Sequence, residues 1–125
     1  MKTTKKHYKF FKKQANIWVD KFNLREYEVH FDHENSKALP TAIAWCGINW
    51  KGRTCTIGLA QDWTHNKINK RELSKSAFHE VCELLLGDIT ILGKIELTEN
   101  QKDDMEQYTH AVIRRLEQVV WKAWY

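Results

Sequence analysis

The amino-acid sequence predicts an α+β fold with an N-terminal helix, a small and mostly antiparallel three-stranded sheet, and two further helices. Three observations carry this prediction. They are an apolar stripe at helical spacing near the start, a period of two between residues 27 and 60, and two later segments that each begin with a capping signal. The 125 residues, 42% of them hydrophobic and 29% charged, have the length and composition of one domain covering residues 1–125.

The first helix is predicted for about residues 4–22. Apolar residues recur there every three or four positions, as expected for one face of a helix. They are Tyr8, Phe11, Ala15, Trp18 and Phe22. The first acidic residue, Asp20, is preceded by Lys2, Lys5, Lys6, Lys9, Lys12 and Lys13. Such a basic patch is typical of a solvated helix face, and it could also contact phosphates or an acidic protein surface.

Three strands are expected next. Residues 27–31 alternate between apolar and polar, which is the pattern of a half-buried strand. Residues 41–50 and 54–60 read as two more strands joined around Lys51-Gly52-Arg53, in a β-hairpin. The buried face of this hairpin is expected to contain Ile43, Trp45, Cys55, Ile57 and Leu59.

Two helices are predicted in the second half of the chain. Asn69 and Glu72 have the spacing of an N-terminal cap for a helix over about residues 70–86, which Gly87 is placed to end. An apolar connection follows, containing Ile89, Ile91, Leu92 and Ile95. Thr98 and Gln101 then form a capping box that opens a long helix to about residue 122. The core stripe of this helix is expected to be Met105, Tyr108, Val112, Leu116, Val119 and Ala123.

The main functional clue lies in the first of these two helices, where the chain reads His79-Glu80-x-x-Glu83. Side chains four residues apart share a helix face, with Cβ atoms about 5–6 Å apart, so His79 and Glu83 could bind one ion together. Glu80 occupies the position at which the HExxH pattern carries the general base that activates a metal-bound water. The alternative is an ordinary helix whose polar stripe faces solvent.

A third ligand is expected from the last helix. His110 lies on a second face of that helix between two carboxylates, Glu106 and Glu117. A catalytic zinc site needs three protein ligands and one open position for water. The predicted ligand set is His79, Glu83 and His110. Two alternatives stay open, because His110 could pair with Glu106 or Arg114, and Glu106 could be the third ligand instead.

Cysteine usage and hydropathy indicate the cellular setting. Cys46, Cys55 and Cys82 show no Cys-x-x-Cys spacing, so we expect reduced, buried thiols and no thiolate zinc site, with Cys82 in the core. No apolar run approaches the roughly 18 residues of a membrane helix, and the lysine-rich start lacks the apolar region of a secretory signal. The sequence therefore predicts a cytoplasmic protein without membrane contact.

Three segments carry a family resemblance: the strand TCTIGL at residues 54–59, AFHEVCELLL at 77–86, and HAVIRRLE at 110–117. In this order they resemble the small zinc metallopeptidases of phages and prophages. The resemblance implies a minimal zincin-like domain, located in the host cytoplasm if a phage encodes it. It also implies that His79 is a ligand, that Glu80 is the base, and that an edge strand beside the motif helix could pair with an extended peptide.

Two functions are therefore compatible with the sequence. The first is a zinc-dependent peptidase acting on a peptide or protein substrate, in which Glu83 replaces the second histidine of HExxH and changes the site's charge by one unit. Iron or manganese would also suit a His, Glu, His donor set. The second is a non-catalytic module that contacts nucleic acid or an acidic protein through the lysine-rich helix, while the HExxE carboxylates only connect helices.

Overall fold

The computed structural model describes residues 1–95 and 97–125, apart from the side chains of residues 94 and 95. Its elements in chain order are α1 (Lys5–Lys21), β1 (Glu28–Asp32), β2 (Ala44–Asn49), β3 (Thr54–Leu59), α2 (Lys70–Leu85), α3 (Gly87–Ile95), α4 (Glu99–Leu116), a π-helical turn (Glu117–Trp121) and α5 (Lys122–Trp124). The predicted α+β layout is confirmed, with an N-terminal helix, a three-stranded sheet, the motif helix and a long C-terminal helix.

Capping residues set the starts of α2 and α4 where the sequence placed them. The Asn69 side chain accepts a hydrogen bond from the backbone N–H of Glu72 at 2.9 Å, which satisfies one of the free donors at the start of α2. Thr98 and Gln101 exchange both bonds of a capping box at the start of α4, at 3.2 and 3.0 Å. These caps fix where the two helices that carry the predicted ligands begin.

The segment expected to be an apolar connection forms a helix instead. α3 follows α2 almost without a break, because the Leu86 N–H bonds to the Cys82 carbonyl oxygen at 3.0 Å and Thr90 N–H bonds to Leu86 at 3.0 Å. Gly87, expected to end the helix, begins α3, and an added Cβ there would lie 2.9 Å from Ile48 Cδ1. Among the residues expected in the connection, the side chain of Ile95 lies outside the described part of the chain.

The sheet has the order β1-β3-β2, with β2 antiparallel and β1 parallel to the central strand β3, so it is mixed rather than mostly antiparallel. The hairpin register pairs Trp45 with Gly58 and Cys46 with Ile57. Side chains alternate between faces, so Trp45 lies on the outer face, and its expected place on the buried face is wrong. Its indole packs over Gly58, where any Cβ would fall 1.9 Å from the ring, and its Nε1–H donates to the Glu34 carbonyl oxygen at 3.0 Å.

The core lies between the inner face of this sheet and the paired helices α1 and α2. Trp18 of α1 meets Phe78 of α2 edge to face, with ring centroids 4.7 Å apart, and both side chains are buried. Ile57 and Leu59 of β3 are fully buried in the same cluster. Because Phe78 precedes His79, this packing fixes the rotation of α2 and so the direction in which the motif points.

The predicted core stripe of the last helix is wrong for most of its residues. Tyr108, Val112 and Val119 are 73%, 38% and 70% exposed. The buried residues of this segment are instead Ile113, Glu117 and Trp121, spaced four apart. Two faces of this segment carry apolar residues at helical spacing. Packing against α2 buries the face that carries His110. The π-helical turn at Glu117–Trp121 keeps Trp121 in the core on that same side.

Candidate metal centre

The three predicted ligands converge between α2 and α4. One ligand atom each from His79, Glu83 and His110 lies within 4.8 Å of the others. Glu83 Oε1 is 3.8 Å from His79 Nε2 and 3.3 Å from His110 Nε2. Ligand atoms of a tetrahedral zinc ion are about 3.3–3.5 Å apart when the metal bonds are about 2.0–2.1 Å. Small side-chain movements would therefore bring all three atoms onto one ion.

The cluster is partly open to solvent. The side chains of His79, Glu83 and His110 are 30%, 29% and 36% exposed, so a water molecule could reach the point that the three face. The placement follows from two local facts: His79 and Glu83 share a face of α2, and α4 crosses that face at His110. Three ligands with an open fourth position are the composition of a catalytic zinc site.

Glu80 follows His79 on α2 and lies close to the Glu83 carboxyl group. It is 5% exposed and borders a cavity of about 330 Å³. The cavity is lined by Ala42, Ile43, Ala44, Glu72, Lys75, Ser76, His79, Glu80 and Glu117. Burial raises the pKa of the Glu80 carboxyl well above its usual value, and the negative charge of Glu83 raises it further. A carboxyl group with a raised pKa is suited to accept a proton and later return it.

Glu117 is the site residue that sequence reasoning missed. Its Oε2 lies 3.6 Å from His79 Nδ1, on the side of the ring away from Glu83, and the residue is only 8% exposed. The sequence placed Glu117 beside His110 but assigned it no role. The available signal was its spacing of seven from His110, which returns it to the same helix face after two turns. It is also the first residue of the π-helical turn, a feature often found at functional sites.

The carboxylates on both sides of His79 change its protonation. Burial by itself lowers the pKa of His79, but the neighbouring carboxylates of Glu117 and Glu83 outweigh it and raise the pKa to about 10. Burial likewise raises the pKa of Glu83, yet its contact with His79 leaves that pKa below the usual value. The metal-free cluster is therefore short of positive charge, and a proton on His79 supplies it.

This protonation predicts how stability depends on pH in the absence of metal. Between its usual value of 6.5 and about 10, His79 holds a proton in the folded state that the unfolded chain lacks. Stability should therefore fall as pH rises through this window. With solvent screening, we expect a loss of about 1–2 kcal/mol between pH 7 and 9. Denaturant titrations in EDTA would measure it.

The matched variants for this prediction are His79→Gln and His30→Gln. His79→Gln should flatten the decline, whereas His30→Gln, at an exposed position on the outer face of β1, should leave it unchanged. A metal-free wild-type protein that is equally stable at pH 7 and pH 9 would contradict the assignment of the extra proton to His79.

The alternative partners of His110 are not in contact with it. Within residues 1–95 and 97–125, no hydrogen bond or ion pair joins His110 to Glu106 or Arg114, and its Nε2 faces Glu83 instead. Glu106 is exposed and borders a surface depression that His110 and Arg114 also line. Cys82 is fully buried, as expected, and burial raises the pKa of its thiol. The geometry therefore favours His110 as the third donor.

Comparison with known proteins adds no assignment, because the chain matches no family model and neither a curated protein nor a solved structure is significantly similar to it. The resemblance to small zinc metallopeptidases thus stays a prediction from the sequence. None of the described helices combines the length and apolar character that a membrane span requires.

Proposed function

We propose that this protein is a zinc-dependent peptidase, with His79, Glu83 and His110 as metal ligands and Glu80 as the general base. The observation that carries the proposal is the convergence of the three donor atoms within 4.8 Å, next to a buried carboxyl group with a raised pKa. Ordinary surface stripes do not bring two histidines and a carboxylate from separate helices to one point beside a cavity.

The charges around the cluster support a bound cation. Glu80, Glu83 and Glu117 bring three carboxyl groups to two histidines, and all three are at least partly buried. No lysine or arginine in the described ranges forms an ion pair with any of them. Buried carboxylates need a positive partner, and a divalent cation held by Glu83 and the histidines would supply it.

The chemistry of such a site follows from its donors. Bound zinc acts as a Lewis acid and lowers the pKa of a coordinated water. Glu83 carries a negative charge where the HExxH pattern has a neutral histidine, so it reduces the net charge at the centre and the acidity gained by that water. In this proposal Glu80, whose pKa is raised by burial, would take the proton and deliver it to the leaving amine.

The position of β2 favours a peptide as substrate. β2 is an edge strand of the sheet, it packs beside α2, and the residues around its start, 42–44, line the cavity with His79 and Glu80. An extended peptide can add to an exposed strand edge through main-chain hydrogen bonds. A peptide bound in this way would pass the cavity bordered by the base.

Metal analysis tests the metal part of this proposal. We expect about one zinc ion per chain after purification in the absence of chelators, and an anomalous-scattering peak at the zinc edge located between α2 and α4. Measuring iron and manganese in the same samples resolves which ion the donor set selects. A protein that binds none of the three ions when they are supplied in excess would contradict the proposal.

Glu117 should strengthen metal binding without touching the ion. Its carboxylate faces His79 Nδ1, which would fix the ring so that Nε2 points to the ion and would make that nitrogen a better donor. We expect Glu117→Gln to weaken zinc affinity about 10- to 100-fold, as is usual for such outer partners. Competition with a chromophoric chelator would measure the change.

The matched control for this prediction is Glu99→Gln, the same change at the exposed start of α4. It should leave zinc affinity unaltered. Glu117→Gln keeps the shape of the side chain, so circular dichroism should show an intact fold. If this variant binds zinc as tightly as the wild-type protein, Glu117 has no role in positioning His79.

A further inference from the structure

We propose that the groove between α1 and the start of α2 binds single-stranded nucleic acid. The groove, called the basic groove below, has a volume of about 480 Å³ and is lined by Lys6, His7, Lys9, Phe10, Lys13, Asn69, Lys70 and Leu73. Four of these eight residues are lysines and none is acidic. The basic groove is therefore a concave, positively charged surface whose apolar part, called its floor, consists of Phe10 and Leu73.

Among the residues that the structure describes, no carboxylate forms an ion pair with the lysines of this surface. Lys6, Lys9, Lys13 and Lys70 are exposed, and the first turn of α1 contains no acidic residue. In the described part of the chain, Lys102 is the only lysine that forms an ion pair. Lysines four apart on a helix, such as Lys9 and Lys13, repel each other and destabilise it. A polyanion bound along α1 would relieve this repulsion and release its own counterions.

The floor of the groove distinguishes nucleic acid from an acidic protein. Phe10 is a half-buried residue of the lining, and the Lys70 ammonium lies over its ring, 5.8 Å from the centroid. An aromatic ring bordered by cations is the arrangement that binds single strands, because a base stacks on the ring while the lysines contact phosphates. A duplex keeps its base faces stacked internally, and an acidic peptide has no base to stack. The combination of lysines with an aromatic ring therefore favours single-stranded nucleic acid.

The basic groove is separate from the metal centre. The cavity beside Glu80 and the basic groove share no lining residue, because α2 presents Lys70 and Leu73 to the groove and Lys75 and His79 to the cavity. The nucleic-acid proposal therefore does not depend on the proposed peptidase activity. An experiment that contradicts one of these two proposals leaves the other unaffected.

Fluorescence anisotropy with a labelled 12-nucleotide oligothymidine tests the proposal. At 50 mM salt we expect measurable binding that weakens steeply by 200 mM. The triple variant Lys6→Gln, Lys9→Gln and Lys13→Gln should lose at least about tenfold in affinity. Its logarithmic salt slope should fall by about 2, since each phosphate contact to a single strand contributes about 0.7. The matched control carries the same three charge changes at the exposed Lys37, Lys51 and Lys122 and should bind as the wild-type protein does.

A second variant tests the stacking contribution. Phe10→Leu keeps an apolar side chain in the floor and should weaken oligothymidine binding about fivefold or more, with no effect on a poly-glutamate peptide. Circular dichroism would confirm that both variants fold. Three outcomes would overturn the proposal: no binding of the oligonucleotide at 50 mM salt, equal losses in both triple variants, or poly-glutamate and duplex binding as tight as that of the single strand.

Discussion

Glu80→Gln is expected to reduce peptide hydrolysis by about 10²- to 10⁴-fold while zinc binding is retained, because the amide cannot accept a proton. The variant should fold normally. In the metal-free protein burial favours the neutral form of Glu80, and glutamine has nearly the same shape and no charge. Mass spectrometry of a peptide library incubated with zinc-loaded protein would measure cleavage, and metal analysis of the same samples would measure zinc content.

The control for Glu80→Gln is Glu72→Gln, which makes the same chemical change in the same cavity, about two helical turns before His79 on α2. It should leave turnover within a few-fold of wild type. If Glu80→Gln cleaves as fast as the wild-type protein, the assignment of the base is wrong. If zinc-loaded wild-type protein cleaves no peptide in the library, the peptidase proposal fails, although the metal site could still stand.

His110→Ala should lower zinc affinity by at least about 100-fold. Structural zinc sites with four ligands bind with about 10–16 kcal/mol, so one ligand accounts for about 2.5–4 kcal/mol, or roughly 10²- to 10³-fold. The loss should be seen in chelator competition and in metal content after dialysis. His110 is 36% exposed on its side chain, so its removal opens no buried cavity and should not unfold the protein.

The informative control for His110→Ala is Glu106→Ala, one turn earlier on α4. Glu106 is the competing third ligand suggested by the sequence, and it is exposed and is not among the three residues whose ligand atoms lie within 4.8 Å of one another. We expect Glu106→Ala to bind zinc as tightly as the wild-type protein. The reverse result, with loss of zinc in Glu106→Ala and retention in His110→Ala, would mean that the two helices meet with a different rotation.

The features that could be predicted from the sequence are those set within about four residues along the chain. Asn69 and Thr98 start helices because their side chains bond to backbone N–H groups three residues on. His79 and Glu83 face the same way because a helix turns every 3.6 residues. The predicted hairpin around residues 51–53 is confirmed, because strand alternation and turn residues are also local signals.

The predictions of buried residues were wrong where two ways of packing an element satisfied the same local pattern of apolar residues. Trp45 could have faced either side of the hairpin by alternation alone, and the register with β3 decided it, because only Gly58 leaves room for the indole on the outer face. α4 has apolar residues on two faces, and packing against α2 buries Ile113 and Trp121 rather than Tyr108 and Val119. Helical spacing identifies both apolar faces of α4 but does not show which of them is buried.

The sequence by itself determined the α+β layout and the pairing of His79 with Glu83, because both depend on the geometry of single elements. Only the tertiary structure decided that His110 meets this pair and that Glu117 lies on the far side of His79. These contacts join residues that are 27 to 38 positions apart in the chain. Their formation depends on how α4 is rotated against α2, which is set by the burial of Ile113 and Trp121 and not by any local preference of the residues that form the site.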